Sequence, residues 1–191
     1  DHGKSYDLMH KKNPPKGFRW LHESFGTNLR MLEIQGAIGR IQLRQLDGWV
    51  KKRNTYQNKI WETSRKLKGL RVPNFKCSSC NNSKLSRSCI HAAYKCYVFV
   101  ENKQLKKGWS RDKIADEINK IGVPCVSGSC SEVYLEKAFK NTSFIPKKRL
   151  KIAQELGSSS LAFLVHPSLT SKEIDLTCKA IKIVMHKAAI N

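Results

Sequence analysis

Residues 20–49, WLHESFGTNLRMLEIQGAIGRIQLRQLDGW, change character at Met31. Before that point no period is visible. From it onward Met31, Ile34, Ile38, Ile41, Leu46 and Trp49 fall within one broad stripe at helical spacing, which predicts a long helix starting near Met31. Gln35 and Gln42 lie inside the stripe and do not suit a purely apolar contact. Gly36 and Gly39 are costly in a helix interior unless something packs closely against them. Two readings stay open: a helix that faces another subunit or domain, or an ordinary core helix with satisfied glutamines. At the head of the helix, the Gly26 turn followed by Asn28 offers backbone N–H groups and an amide donor. That is a seat for phosphate or another anion, and Arg30 adds a fixed positive charge beside it. The plainer alternative is Asn28 as an N-cap only.

Working outward, residues 1 to about 29 read as an irregular arm, because Asn13-Pro14-Pro15-Lys16-Gly17 fixes φ twice and blocks helix. Downstream, Tyr56, Ile60 and Leu67 continue the helical period to a stop at Gly69. Asn74 to Ser88 is polar and cysteine-rich and reads as loop. Ala93 to Val100 alternates, with Tyr94, Cys96, Val98 and Val100 expected on one face of a strand. Ser110 is the expected N-cap of a helix carrying Ile114, Ile118 and Ile121, ended by Gly122 and Pro124. A short strand is expected within Val123 to Ser127, a helix over Pro146 to Leu156 with Pro146 in its first turn, and a buried strand at Leu161 to Val165. Thr170 and Glu173 form a capping-box pattern before Ile174, Cys178, Ile181 and Met185, the apolar face of a last helix. The expected fold is α+β: a small sheet with helices on one face, preceded by a long helix and an irregular N-terminal arm. The expected division is residues 1–69, arm and long helix, and residues 70–191, a small domain.

Of the 191 residues, Lys and Arg number 36 and Asp and Glu 15, a formal net charge of +21. Such a charge fits a polyanion such as nucleic acid, or a solvated cationic surface facing an acidic partner or a phosphorylated ligand. The basic residues are spread along the chain without a helix-turn-helix, zinc-finger or RNP-type pattern, so nucleic-acid binding is not expected. No apolar run approaches a membrane span, and the first residues lack the apolar core of a signal peptide. The chain has no initiator Met, so a longer reading frame is expected. Seven cysteines, an odd number scattered across elements, fit a reducing cytoplasmic setting better than a disulfide framework.

Cys77, Cys80, Cys89 and His91 supply ligand types that zinc prefers, and the first pair has chelating spacing. The second pair is separated by a single residue, atypical of zinc knuckles and fingers, and an ordinary reduced loop is the expectation; no metal is assigned. There is no G-x-S-x-G elbow, H-E-x-x-H, P-loop or G-x-G-x-x-G, and Gly128-Ser129-Cys130 places a thiol in a loop without a visible base. Elementary chemistry alone assembles no catalytic set.

The run W-x-H-x-x-x-G-T-N-x-R-M-x-E-x-Q-x-A-I-G-x-x-Q-L, from Trp20 to Leu43, resembles the signature of the DegT/DnrJ/StrS aminotransferases. In order along the chain, His2-Gly3 resembles the family's His-Gly after a large-domain strand, His91-Ala-Ala-Tyr94-Lys95 its first small-domain strand, Gly122-Val-Pro124 through Ala138-Phe139 the loop that approaches substrate, and Leu164-Val-His166-Pro167-Ser-Leu169-Thr170 the turn before the closing helix. The resemblance implies the C-terminal part of a fold-type-I aminotransferase. It would use pyridoxal 5'-phosphate, act on a nucleotide-linked keto-sugar with glutamate as amino donor, and work as a homodimer with active sites at the subunit interface. It implies that Asn28, with Gly26, reaches a cofactor phosphate in the neighbouring subunit, that Arg30 and His22 lie at substrate or interface, and that His166 faces the substrate entrance. In this family the lysine that holds the cofactor lies upstream, shortly before a Gly-Glu-Gly-Gly-like turn, and nothing here resembles that context; Lys4 is one of many surface-type lysines. The chain alone is therefore expected not to transaminate. Leu29 and Gly36 depart from the family's usual aromatic and alanine and leave the subfamily open. The contrasting readings are a stand-alone basic nucleic-acid-binding module and a zinc-stabilised domain.

Overall fold

The computed structural model describes residues 7, 10, 30–74 and 91–190. The arm, the turn at Asn13–Gly17 and most of the loop expected over Asn74 to Ser88 lie outside the described residues. The chain divides into two compact units, Asp1–Gln45 and Leu46–Asn191.

Helix α1, Glu33–Arg65, starts two residues after the expected point. Its entry is closed by Gln35, whose Oε1 accepts from Leu32 N–H at 2.9 Å, so this glutamine serves a helix end. In the first unit the stripe is exposed: Met31 to 74%, Ile34 to 66%, Ile38 to 53% and Ile41 to 52%. An added Cβ on Gly39 would meet nothing within 4 Å among the described residues.

In the second unit the end of α1 is buried through Tyr56, Gln57, Ile60, Trp61 and Ser64. Beyond Gly69 come β1, Leu70–Arg71; β2, Lys95–Val100; helix α2, Arg111–Lys120; β3, Cys125–Val126; helix α3, Lys151–Ser159; β4, Ser160–Leu164; and helix α4, Ser171–Ala188. The strands form an antiparallel sheet in the order β1-β2-β4-β3. Residues opposite one another in such a ladder share a face. The pairs Leu70↔Val100, Cys96↔Phe163, Val98↔Leu161 and Cys125↔Phe163 therefore place seven buried side chains on one side. That side is covered by the end of α1 and the apolar faces of α2 and α4, with Ile60, Ile114, Ile118, Ile174 and Ile181 all 0–1% exposed. Each such side chain contributes roughly 1.5–3 kcal/mol by leaving water. The opposite face carries Arg71, Tyr97, Phe99 and Ala162. Glu155 of α3 reaches Arg71 at 3.0 Å, and Arg71 stacks on Phe99 with 4.7 Å to the ring centroid.

Several caps match the expectation. Ser110 accepts from Lys113 N–H at the start of α2, and Thr170 and Glu173 form the full reciprocal capping box of α4. Other expectations need correction. Tyr94 is 75% exposed: Ala93 takes a positive φ of 47° and the regular strand starts only at Lys95, so the alternation does not carry back to Tyr94. Pro146 lies outside α3, which begins at Lys151; the preceding stretch is irregular, after short 3-10 turns at Val133–Leu135 and Lys137–Phe139. The strand expected within Val123 to Ser127 shrinks to two residues. It is held by the side chain of Asn119, which donates to Cys125 C=O at 2.8 Å and accepts from Cys125 N–H at 2.9 Å.

Candidate functional site

Of the residues singled out from sequence, His22, Gly26 and Asn28 lie outside the described residues, as do Cys77, Cys80 and Cys89. Arg30 is exposed and stands three residues before α1. The positive end of the helix dipole and the guanidinium are thus adjacent in sequence, a pairing that suits an anion. His166 is exposed in the turn that enters α4. Its Nδ1 accepts from Ser168 N–H at 3.2 Å and sits 2.7 Å from Ser168 Oγ, which leaves the Nε2–H as the outward donor. The turn is anchored from behind, since Leu169 N–H donates to His166 C=O and Tyr56 O–H donates to Leu169 C=O at 2.7 Å. His91 spends its Nδ1 on Ala93 N–H at 2.8 Å, and its carbonyl accepts from Asn54 at 2.6 Å, so the ring helps to shape the entry to β2. Among the described residues no group of three or more His, Cys, Asp or Glu could hold a metal ion.

The second unit also holds a cavity of about 530 Å³ between the Ser127–Ser131 loop and α3. Two close approaches fix its floor. Gly128 has φ +89°, and a Cβ there would come within 2.7 Å of the Tyr97 ring. Gly157, on α3, faces Ser131 so closely that a Cβ would overlap the hydroxyl. Ser160 Oγ–H donates to Ser127 C=O at 2.6 Å and ties the loop to β4. The far wall is a charged staple. Arg149 donates to both carboxylate oxygens of Glu132, at 2.9 and 2.5 Å, and Tyr134 O–H donates to the same carboxylate at 2.5 Å. Tyr134 in turn accepts from Leu150 N–H at 3.0 Å, at the threshold of α3. With its side-chain amide turned, Gln154 accepts from the guanidinium as well. The Arg149 guanidinium and then the Tyr134 hydroxyl hold the Glu132 carboxyl below its ordinary range; burial, followed by Glu132, holds the Tyr134 phenol above its own. The staple is therefore internally neutral, and the cavity is further lined by Ser127, Ser129, Cys130, Ser131 and Ser158, by Leu135, and by Glu136, whose carboxylate lies outside the staple.

From the residues alone Gly128-Ser129-Cys130 reads as a loop thiol, and the resemblance makes the segment from Gly122 to Phe139 a loop that approaches substrate. Glu132, Tyr134, Arg149, Gln154 and Gly157 were missed. The staple joins residues 17 apart across an irregular segment, so no periodicity signals it.

Four findings place the chain among known proteins. The model of the DegT/DnrJ/EryC1/StrS aminotransferase family matches residues 6–182. An aminotransferase from Psychrobacter cryohalolentis has 47% identity and a TM-score of 0.75, over 97% of this chain and 47% of that one. A putative sugar aminotransferase from Streptococcus pneumoniae, Spr1654 in its PLP form, has 16% identity and a TM-score of 0.68, over 97% of this chain and 41% of that one, which speaks to fold alone. The erythromycin biosynthesis sensory transduction protein EryC1 of Saccharopolyspora erythraea is 23% identical over 165 residues, 86% of this chain and 40% of that protein. The chain thus spans less than half the length of these relatives.

Proposed function

The chain belongs to the DegT/DnrJ/EryC1/StrS aminotransferase family, and on that premise we propose that it is the C-terminal part of a pyridoxal-phosphate-dependent sugar aminotransferase. The observation that carries the reading is the family match over residues 6–182, which includes the whole Trp20–Leu43 signature. The substrate is a nucleotide-linked keto-sugar, the amino donor glutamate, the working form a homodimer and the setting the cytoplasm.

When bound, pyridoxal phosphate supplies the electron sink that amino transfer needs. The part played by this chain is positioning. Gly26 and Asn28 would supply N–H donors to the cofactor phosphate in a second copy, and Arg30 would add charge beside them. His22 and Arg30 would serve the substrate side, and His166 would offer its Nε2–H at the substrate entrance. The exposed Met31–Ile41 stripe supports the dimer, because an apolar helix face of that extent is costly to leave in water. Arg30 is the described residue that bears on cofactor fit, and a cation next to a helix start suits a phosphate.

The test uses the longer reading frame that carries this chain. Amino transfer from 15N-labelled glutamate to a nucleotide-linked keto-sugar is the expected outcome, with Asn28→Ala lowering cofactor retention. The 191-residue chain alone should give no turnover. A full-length protein that binds no pyridoxal phosphate, or a lone chain that turns over an amino-sugar substrate, would sink the proposal.

A further inference from the structure

Three segments far apart in sequence meet around Gly69, and what they bring there is lysine. An added Cβ on Gly69 would lie 3.1 Å from Met185 Cε, 3.5 Å from Leu105 Cδ2 and 3.7 Å from Ala189 Cβ. Hydrogen bonds lock the meeting. Glu101 N–H donates to Gly69 C=O at 2.9 Å and Gly69 N–H to Gln104 Oε1 at 3.0 Å. Lys106 N–H donates to Ala188 C=O at 2.8 Å and Ile190 N–H to Gln104 C=O at 2.9 Å. Residues 66–69, 101–109 and 186–190 thus come together in the second unit. They carry six lysines, Lys66, Lys68, Lys103, Lys106, Lys107 and Lys187, all of them exposed. The one acid in these segments, Glu101, is half-buried and accepts from Gln104 Nε2 at 2.7 Å. Glu117 of α2, near Lys187, is already held by Lys120 at 2.7 Å.

A positive surface whose neighbouring acids are engaged suits a polyanion, and the side chains favour one kind. The three segments contain no arginine. Lysine is a mobile, strongly hydrated point charge, without the planar fork that grips phosphate or base edges in fixed geometry. Trp109, the aromatic ring of these segments, is packed against the core with Lys113 Nζ 4.8 Å from its centroid, a poor platform for stacking a base. Ile190, 44% exposed, adds an aliphatic side chain among the lysines. That mixture fits the boundary between headgroups and acyl chains better than a nucleic acid. An anionic bilayer demands no fixed stereochemistry, and each lysine brought near its surface adds attraction.

We propose that the lysine surface around Gly69 docks the protein on an anionic phospholipid bilayer, as a peripheral attachment and not a span. The surface lies wholly within the second unit and uses none of the residues assigned to cofactor or substrate. It goes beyond the proposed amino transfer, and its failure would leave that reading untouched.

The experiment is co-sedimentation of the 191-residue chain with vesicles of phosphatidylcholine alone, or of phosphatidylcholine with about 30% phosphatidylglycerol. At about 0.1 M salt the chain should partition onto the anionic vesicles at least about tenfold more strongly than onto the neutral ones, and about 0.5 M salt should remove the difference. The neutral arm registers any adsorption through the apolar stripe of α1. Lys103→Gln with Lys106→Gln and Lys187→Gln should weaken partition onto anionic vesicles at least about tenfold. Lys137→Gln with Lys140→Gln and Lys147→Gln removes the same charge from exposed positions elsewhere and should change it by less than about twofold. Far-UV circular dichroism should show both variants folded like the parent. Equal partition onto the two kinds of vesicle would overturn the proposal. So would an equal loss in the two triple variants, which would reduce the effect to net charge. A patch variant that keeps its vesicle binding but loses binding to a fluorescent oligonucleotide would also overturn it, by giving the surface to nucleic acid.

Discussion

Helix α1 holds two isoleucines of the same kind in opposite surroundings, and the contrast gives a quantitative prediction. Ile60 is 0% exposed in the sheet-facing core, and Ile38 is 53% exposed on the stripe. Ile60→Ala deletes three buried carbons, worth about 2.4 kcal/mol at roughly 0.8 kcal/mol per methylene. A residual cavity raises the cost to about 4 kcal/mol, within the range seen for such truncations. With a urea dependence of about 2 kcal/mol per molar, the unfolding midpoint should fall by about 2 M. Ile38→Ala removes little buried surface and installs the better helix former, so in dilute chain it should stay within about 0.5 kcal/mol of the parent. Urea unfolding followed by far-UV circular dichroism, at several protein concentrations, reads both. If Ile38→Ala costs about as much as Ile60→Ala at every concentration, the stripe is covered within the single chain and the reasoning is refuted. A cost that appears only as concentration rises is the signature of a second copy covering the stripe.

Thr170→Ala removes the acceptor that closes the start of α4 and should cost about 1 kcal/mol in the same urea assay. The Glu173 carboxyl is held below its usual range by the Thr170 backbone N–H, and Glu132 by Arg149, so both take up protons more readily in the unfolded chain. Their contribution is complete above the unfolded carboxylate range, near pH 4.3, and is lost as pH falls through the lower folded values. Glu132→Gln and Glu173→Gln should therefore lower the urea midpoint at pH 7, by an amount that shrinks as the pH is taken down below the ordinary carboxylate range. Burial pushes the Cys125 thiol up to about 12, and burial raises Cys96 as well, whereas Cys130 is exposed. Iodoacetamide at pH 8 should thus alkylate Cys130 and spare Cys96 and Cys125, as peptide mass spectrometry would show. Gly128→Ala, forced to φ +89° against the Tyr97 ring, should destabilise the chain by about 1–3 kcal/mol and shift the amide resonances of the serine loop.

The elements legible in the sequence were those governed by local rules. The capping box at Thr170 and the Ser110 cap are written in residues three apart, and α4 shows its buried face as Ile174, Cys178, Ile181 and Met185. β2 announced itself by alternation, yet the same rule overreached by one turn of the pattern at Tyr94, because Ala93 leaves the extended region. Pro146 resembled a helix start and was not one. The true start at Lys151 follows Leu150, which provides no side-chain cap, so there was no cap signal to find. β1 and β3 are two residues each and exist through their partners, β3 through the Asn119 amide as well as β4. The serine-lined cavity depends on contacts between residues far apart in sequence, Gly128 with Tyr97 and Glu132 with Arg149, and no window of local sequence contains them.

The long helix shows why periodicity alone left two readings open. Its apolar pattern runs without a break from Ile34 to Ile60, yet the second half is buried against the sheet and the first half is exposed. A hydrophobic period states that a face wants cover and not what covers it. Gln42, Gly36 and Gly39 carry the remaining information. A core helix would find these residues expensive, whereas a face that meets another backbone at close range can use small residues and a bonded amide. Among the described residues Gly36 meets Met31 at 3.8 Å and Gly39 meets nothing within 4 Å. The glycines and the exposed isoleucines thus point the same way: the surface that makes this segment conspicuous in sequence is one that the described residues leave uncovered.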